Sequence, residues 1–464
     1  MVKTMKYIKY IIAALVVASS VMNVEAQSAK SSYFMDGAFH NMQMNPAMKA
    51  ERNYLSFPIL GNMGVSLNSN VGLSNFLYPY GENELVTFMH KSVSADEFLS
   101  GISPKTKFDL NLDMTLFALG FRGFGGYNTL NLTLRSQVGI NLPKGMFEFM
   151  KRGFSKDYYS FSGLNMNTMN YAAITIGHSR EITENLRVGA NFKYLVGLAY
   201  ANLNVDKMNL TLQDNIWMVE SYATGYIATA GETNWTLDES GQVDGAEMQI
   251  NSPMASGYAI DLGATYDFKD LVDGLKVSAS LVDLGSINWK HMIKAKTKDS
   301  QIRFEGFQEI DINDFESSVE DQLDEIQEDA EKMLELYPDG NHAESVKTKL
   351  AATMYLGAEY EMPFYKKMSV GVLYTNRFSD VNDLYDLRGY LTLSPLRWLE
   401  ASVNYGVSTY GKELGWMLNF HPAGLSMFLG SDYMIMDVSP QYVPINNVNA
   451  NFTFGVSIPF GRRK

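Results

Sequence analysis

Apolar and polar residues alternate along most of this chain. From Leu186 the even positions read Leu186, Val188, Ala190, Phe192, Tyr194, Val196, Leu198 and Tyr200, with Arg187, Gly189, Asn191 and Lys193 between them. Phe108, Leu110, Leu112, Met114 and Leu116 alternate with Asp109, Asn111, Asp113 and Thr115. Tyr258, Ile260, Leu262, Ala264, Tyr266 and Phe268 alternate with Asp261, Gly263, Thr265 and Asp267, and Val448 to Phe460 repeats the pattern. Successive strand side chains point to opposite faces, so each stretch reads as a strand with one apolar and one polar face. Several exceed the usual strand of about five or six residues. A tilted strand of about 9–11 residues crosses a bilayer.

The spacing predicts strands at 54–73, 106–119, 127–138, 166–179, 185–200, 256–268, 275–288, 350–362, 367–378, 385–394, 398–409, 413–421, 424–434 and 448–460. Connections after the even-numbered strands are short. Those after strands one, three, five and seven are long, and the largest spans 289–349. A soluble sandwich has no reason to put its long loops at one end, whereas an even-stranded membrane barrel has short periplasmic turns and long outer loops. Lipid leaves no water for unpaired backbone groups, so such a sheet must close. The expected fold is all-β: a transmembrane antiparallel β-barrel of about 14 strands with an N-terminal hatch and one helical outer-loop insertion. Trp289, Phe378, Trp398, Phe420, Tyr433 and Phe460 fall near strand ends and are expected to form interfacial girdles.

The first residues read as an address. Lys3, Lys6 and Lys9 precede an apolar run from Tyr10 to Ala18, and Val24-Glu25-Ala26 offers a cleavage point. That is the layout of a cleaved secretory signal peptide, too short in its apolar run for a spanning helix. The expected division is a signal peptide at 1–26, a hatch at 27–52 and an outer-membrane barrel at 53–464.

Between signal and barrel lie Tyr33-Phe34-Met35-Asp36-Gly37-Ala38-Phe39-His40 and then Asn45-Pro46-Ala47. Proline disfavours the α region at the residue before it, and Asn makes local turns, so the tripeptide reads as a turn: either one that places 27–52 in the lumen or a simple lead into strand one. With these residues the chain resembles the outer-membrane long-chain fatty-acid transporter superfamily, whose fourteen-stranded barrels carry a hatch with Asn-Pro-Ala. It is more closely similar to a Bacteroidota-type outer-membrane barrel family, a group that includes type IX secretion and gliding accessory barrels. The resemblance covers residues 33–73 and implies a hatch role for Asn45, Pro46 and Ala47.

Composition sharpens this picture. The formal net charge is −13, but residues 305–339 hold 14 acids against the single base Lys332, so the rest of the chain is neutral. Within that window Phe315, Val319, Leu323, Ile326, Ala330, Met333, Leu334 and Tyr337 recur at helical spacing, predicting an acidic amphipathic helix over 313–337 in the outer loop. Without clustered Lys and Arg, nucleic acid is not an expected partner. There is no cysteine, which excludes disulfides, thiolate metal sites and cysteine nucleophiles.

Candidate chemistry is sparse. The six histidines show no metal-binding spacing, and no Gly-x-Ser-x-Gly elbow occurs. Gly120–Gly126 is glycine-rich but lacks the lysine of a phosphate loop, so a hairpin turn is expected there. Asp109, Asp113, Asp261 and Asp267 are expected in the lumen. The chain is therefore expected to be no enzyme and to need no cofactor or metal. Its expected place is the Gram-negative outer membrane, with lipid around it. Two roles fit such a barrel: transport of a hydrophobic or amphipathic small-molecule ligand, or an envelope assembly role with a protein partner. A lateral gap or apolar tunnel would favour the first, and a plugged lumen the second.

Overall fold

Strand β1 is built from two pieces, Asn53–Ser56 and Asn62–Ser69, and both pair with the last strand to close the sheet. Between them run β2 (Lys105–Gly123), β3 (Gly126–Pro143), β4 (Leu164–Glu181), β5 (Leu186–Gln213), β6 (Ala255–Asp267) and β7 (Leu275–Trp289). The wall continues through β8 (Thr353–Glu361), β9 (Met368–Arg377), β10 (Leu384–Leu396), β11 (Leu399–Ser408), β12 (Gly411–Phe420), β13 (Ser426–Ser431) and β14 (Ala450–Phe460). Each pairs antiparallel with its neighbours, and Asn53 opposite Phe460 completes the ring. The computed structural model describes residues 30–56, 62–80, 84–153, 155–213, 216–229, 232–238, 241–249, 255–290, 292–297, 303–304, 336–340, 345–379, 382–433 and 449–461. The expected signal peptide, 1–26, lies outside them.

The fold is a closed fourteen-stranded antiparallel barrel, as the alternation predicts. Its outer surface carries the apolar half of each strand: Phe192, Tyr194, Tyr258, Ile260, Leu262, Val372, Val403 and Phe452 are exposed. The interleaved residues face inward, among them Asn191, Lys193, Ala259 and Asp261. An apolar exterior on a closed sheet is the architecture of an outer-membrane barrel. No helix among the described residues is long and apolar enough to cross a membrane.

Two strand boundaries differ from the expected ones for identifiable reasons. β5 runs 28 residues, not 16, because Leu198 is an extra residue: Tyr171 faces Gly197 while Asn170 faces Ala199. A bulge inverts which residues face inward, so Leu203 and Val205 continue the strand in the opposite phase. The outer half of β5 then pairs with the strand Ile216–Thr229, which in turn pairs with Ile293–Lys296, extending the wall beyond the membrane band. The register of β1 against β2 differs between its two described pieces: Ser56 faces Ala118, and Asn62 faces Thr115.

The expected hairpin at Gly120–Gly126 is tighter than its glycines suggest. Gly123 pairs with Gly126, and Phe124 (φ 54°) and Gly125 (φ 75°) form the two-residue loop. Positive φ at both loop residues matches the twist of the flanking strands.

Two helices that the sequence pattern did not predict fold the outer loops. α1 (Ala95–Ser100) is capped by Ser94, whose hydroxyl accepts from the Glu97 N–H at 3.1 Å. α2 (Lys144–Arg152) lies in the β3–β4 loop, and Phe147 joins Val71, Val93, Phe98, Leu99 and Ile102 in one apolar cluster. The acidic helix expected at 313–337 lies outside the described residues except at its end. There Tyr337–Pro338 is a two-residue strand against Ala295 and Lys296.

The girdle expectation needs one correction. Phe378, Trp398, Phe420 and Phe460 are exposed, but Trp289 and Tyr433 are buried. Trp289 stacks on Tyr200 and donates its indole N–H to Thr348 Oγ1 at 2.7 Å, which moves it from the lipid boundary to the interior.

Candidate functional site

The fourteen-stranded wall encloses residues Lys30–Ala50, most of them buried, with Asp36 and Lys49 exposed. The segment has little regular structure of its own, only the short 3-10 turns Lys30–Ser32 and Phe39–Gln43. Its contacts with the wall therefore hold it in place.

Asn45, Pro46 and Ala47 sit together against β5 and β6. Asn45 Oδ1 accepts from the Ala47 N–H at 2.9 Å and closes a local turn. Its Nδ2 donates to the carbonyls of Ala264 and Ala279 at 3.4 and 3.5 Å, and Ser280 Oγ donates to the Met44 carbonyl at 2.6 Å. The turn fits only because the facing wall residues are glycines. A Cβ on Gly189 would lie 2.1 Å from the Pro46 carbonyl oxygen, and one on Gly263 would lie 2.1 Å from Asn45 Oδ1.

From that turn the segment crosses the lumen. His40 is fully buried and stacks on Phe428 of β13 at 4.0 Å between ring centroids, and neither ring nitrogen has a hydrogen-bond partner. Burial holds its imidazole neutral, down at about 3. The N–H groups of Asp36 and Gly37 donate to the Glu400 carboxylate at 3.0 and 3.1 Å. Phe34 meets Tyr390 edge-on at 5.1 Å, and Tyr33 shares a hydrogen bond with Ser278 at 3.1 Å.

The far end is pinned. Asp432 accepts from the N–H groups of Lys30 and Ser31 at 2.9 and 2.7 Å, and from the Ser31 hydroxyl at 2.6 Å. The Lys30 ammonium pairs with Asp386. Arg388 directs Nε to Asp386 at 2.9 Å, Nη2 to Asp386 and Glu413, and Nη1 to Asn404 Oδ1 and the Asp432 carbonyl at 3.0 and 2.8 Å. Two cations thus meet the carboxylates of Asp386 and Glu413, with Asp432 holding the backbone beside them, and all are almost without solvent exposure. Such a cluster is tolerated only when every partner is present, because an unpaired buried charge is costly.

A second ion cluster spans the wall from β2 to β7. Arg135 binds Asp113 at 2.9 Å and Asp283 at 2.7 Å, while Lys193 binds Asp261 at 2.8 Å and Asp283 at 2.6 Å. Asp283 has φ 60° and sits in a bulge, where Ile260 faces Leu284 and Leu262 faces Leu281. Toward the outer mouth a pocket of about 60 Å³ is lined by Asp109, Asn111, Arg377 and their neighbours. A pocket of about 40 Å³ lies at the periplasmic side beside Phe39 and Tyr54. Neither approaches the several hundred Å³ that usually hold a drug-sized ligand.

Asn45, Pro46 and Ala47, singled out from the sequence, meet in one turn. Of the four aspartates expected inside, Asp109, Asp113 and Asp261 belong to lumen networks. Asp267 lies at the β6–β7 turn instead, where it accepts from the Lys269 N–H at 3.0 Å. Lys30, Asp386, Arg388, Glu413 and Asp432 were not singled out. Their signal was present as Asp386 and Arg388 on the polar face of an alternating strand, but pairing them with Lys30 requires knowing that the N-terminal segment enters the barrel. No group of residues suited to hold a metal ion occurs among the described residues.

The family model described as "Family of unknown function (DUF5723)" matches residues 46–432. No curated protein matches the chain. Solved structures similar in overall form include the toluene transporter TodX of Pseudomonas putida, with 9% identity and a TM-score of 0.41 over 95% of this chain and 100% of that one. A FadL homologue of Pseudomonas aeruginosa matches with 10% identity and a TM-score of 0.43, covering 95% of this chain and 99% of its own. The CymD monoaromatic hydrocarbon channel matches with 10% identity and a TM-score of 0.42 over 96% and 100%.

Proposed function

We propose that this chain, which belongs to the family of unknown function DUF5723, is an outer-membrane channel for a small amphipathic molecule, closed by its own N-terminal segment. Residues 1–26 are read as the signal removed on export, and the barrel as a non-catalytic conduit. A plugged lumen by itself favours the assembly role, so the observation that carries the channel reading is that the plug is a separable piece of chain. About eight strands make a barrel that side chains alone can fill, whereas here fourteen strands enclose a lumen occupied by a separate length of chain, Lys30–Ala50. That occupant has no core of its own and, among the described residues, joins the wall through Glu51 and Arg52. Displacing it opens the lumen without breaking a strand ladder. The Met-rich stretch Met35, Met42, Met44 and Met48 suits such a movable packing surface, because thioethers adapt to changing neighbours.

A cross-link tests the gate. A Cβ on Gly415 would lie 2.7 Å from Ser31 Oγ, so Ser31→Cys with Gly415→Cys places two thiols within reach in a chain with no other cysteine. Proteoliposomes carrying this variant are expected to take up labelled medium-chain acids, alcohols or aromatic solutes under reducing conditions and to lose most of that uptake on oxidation. Uptake equal to protein-free vesicles in both states would sink the reading.

The second role, an envelope interaction barrel, is favoured by the sealed lumen and the wall extension built on β5. Unchanged vesicle permeability, together with recovery of one stoichiometric partner after cross-linking whole membranes, would support it.

A further inference from the structure

The pocket at the outer mouth is lined by donors that the protein itself leaves unused. Arg377 faces inward from the end of β9, yet its guanidinium makes no hydrogen bond and no ion pair among the described residues, although it lines the same pocket as Asp109. Asn111 is 6% exposed, and its Nδ2 has no acceptor. Lys349 lines the rim and likewise has no partner among the described residues. The pocket's one acid is already engaged: Asn382 Nδ2 donates to Asp109 Oδ1 at 3.1 Å, and the Tyr410 hydroxyl donates to the other oxygen.

An arginine and a lysine are donors with no accepting atom, and Asn111's unused atom is also a donor. A solute bound there must therefore supply acceptors and negative charge. The planar guanidinium matches two oxygens of one group, and the two cations Arg377 and Lys349 outweigh the single Asp109 carboxylate in the same pocket, so the opening carries a net positive charge that raises the local concentration of anions. At about 60 Å³ the pocket holds a head group and not a whole amphipath. Met169, Tyr200 and Leu350 also line it and offer an apolar ledge for the tail attached to that head group.

We propose that Arg377, Asn111 and Lys349 form a recognition site for an oxyanion head group, carboxylate or phosphate, at the outer mouth of the lumen. The assignment rests on the channel reading in treating this group as the polar end of the transported molecule. The full chain in detergent is to be titrated calorimetrically with inorganic phosphate, with acetate and with glycerol. Saturable binding of one or both anions, with none of glycerol, is expected, and the anion that binds identifies the head group. Arg377→Gln is expected to weaken it at least tenfold. Lys349→Glu, at an exposed position that spares the fold, is expected to weaken it severalfold. Absence of saturable binding by either anion, or equal binding by both variants and the parent chain, overturns the site. The two readings fail separately. Anion binding with uptake no greater than that of protein-free vesicles in either redox state leaves the site standing and removes the channel. Gated flux without anion binding does the reverse.

Discussion

The Pro46 carbonyl oxygen lies against Gly189 so closely that a Cβ there would stand 2.1 Å from it. At Gly263 the opposing atom is the Asn45 side-chain oxygen, also 2.1 Å away, which can swing aside where a backbone carbonyl cannot. Gly189→Ala should therefore unseat the N-terminal segment more than Gly263→Ala, with overpacking costs of about 1–3 kcal/mol. The check is trypsin cleavage at Lys49 and Arg52 in the folded barrel. Gly189→Ala should be cut fastest and the parent chain slowest, and the reverse order for the two variants would contradict this geometry.

At the opposite end, Lys30 and Arg388 share the Asp386 carboxylate, and Arg388 also holds Glu413, so the variants there are not equivalent. Asp386→Asn leaves two buried cations short of a partner, and a broken buried pair costs about 3–5 kcal/mol. Lys30→Met leaves Asp386 still bound by Arg388 at 2.9 Å and should cost less. Thermal unfolding followed by the heat-modifiable gel mobility of the barrel should rank them so. The double variant should lose less than the two single losses combined, because the residues act on each other.

The two ends of this segment differ in how legible they were in the sequence. All fourteen strands follow from period-two alternation, because one face must meet lipid and the other the lumen. Asn45-Pro46-Ala47 could be read as a turn from local backbone preference, and Gly189 and Gly263 already lay on the inward face of their strands. The partners of Lys30 could not be read, since Asp386 is 356 residues away and nothing local to either residue records the pairing. The phase reversal in β5 escaped for a related reason. One bulged residue, Leu198, breaks the alternation although the strand continues. Trp289 was misplaced because a strand-end aromatic looks the same in sequence whether it faces lipid or an inward neighbour such as Tyr200.

Asp283 combines a charge with a left-handed backbone, and three substitutions separate the two. Asn tolerates that backbone better than most residues, so Asp283→Asn should lose only the ionic bonds from Arg135 and Lys193, about 1.5–3 kcal/mol. Arg135 keeps Asp113 and Lys193 keeps Asp261, which limits the damage. Asp283→Ala loses the same bonds and also the short polar side chain that offsets the steric cost of a Cβ at φ 60°, about 1–2 kcal/mol. Asp283→Gly removes that steric term and should be more stable than Asp283→Ala. Unfolding midpoints in the order parent, Asn, Gly, Ala are expected. An Ala variant as stable as Gly would mean that the left-handed backbone relaxes.

His40 makes the seating of the N-terminal segment depend on pH. A solvent-exposed imidazole takes a proton below about 6.5, whereas His40 buried against Phe428 does so only at about 3. Between those values the released segment binds one more proton than the seated one. Seating is therefore undiminished above about pH 6.5, weakens by up to about 1.4 kcal/mol for each pH unit below that, and loses nothing further below about 3. His40→Phe preserves an aromatic ring against Phe428 and removes the titrating group. Proteolytic release of the segment should rise in the parent chain between pH 7 and pH 5 by clearly more than in His40→Phe, whose remaining rise reports the carboxylates of the lumen. Parallel profiles for the two proteins would show that His40 does not couple protonation to release.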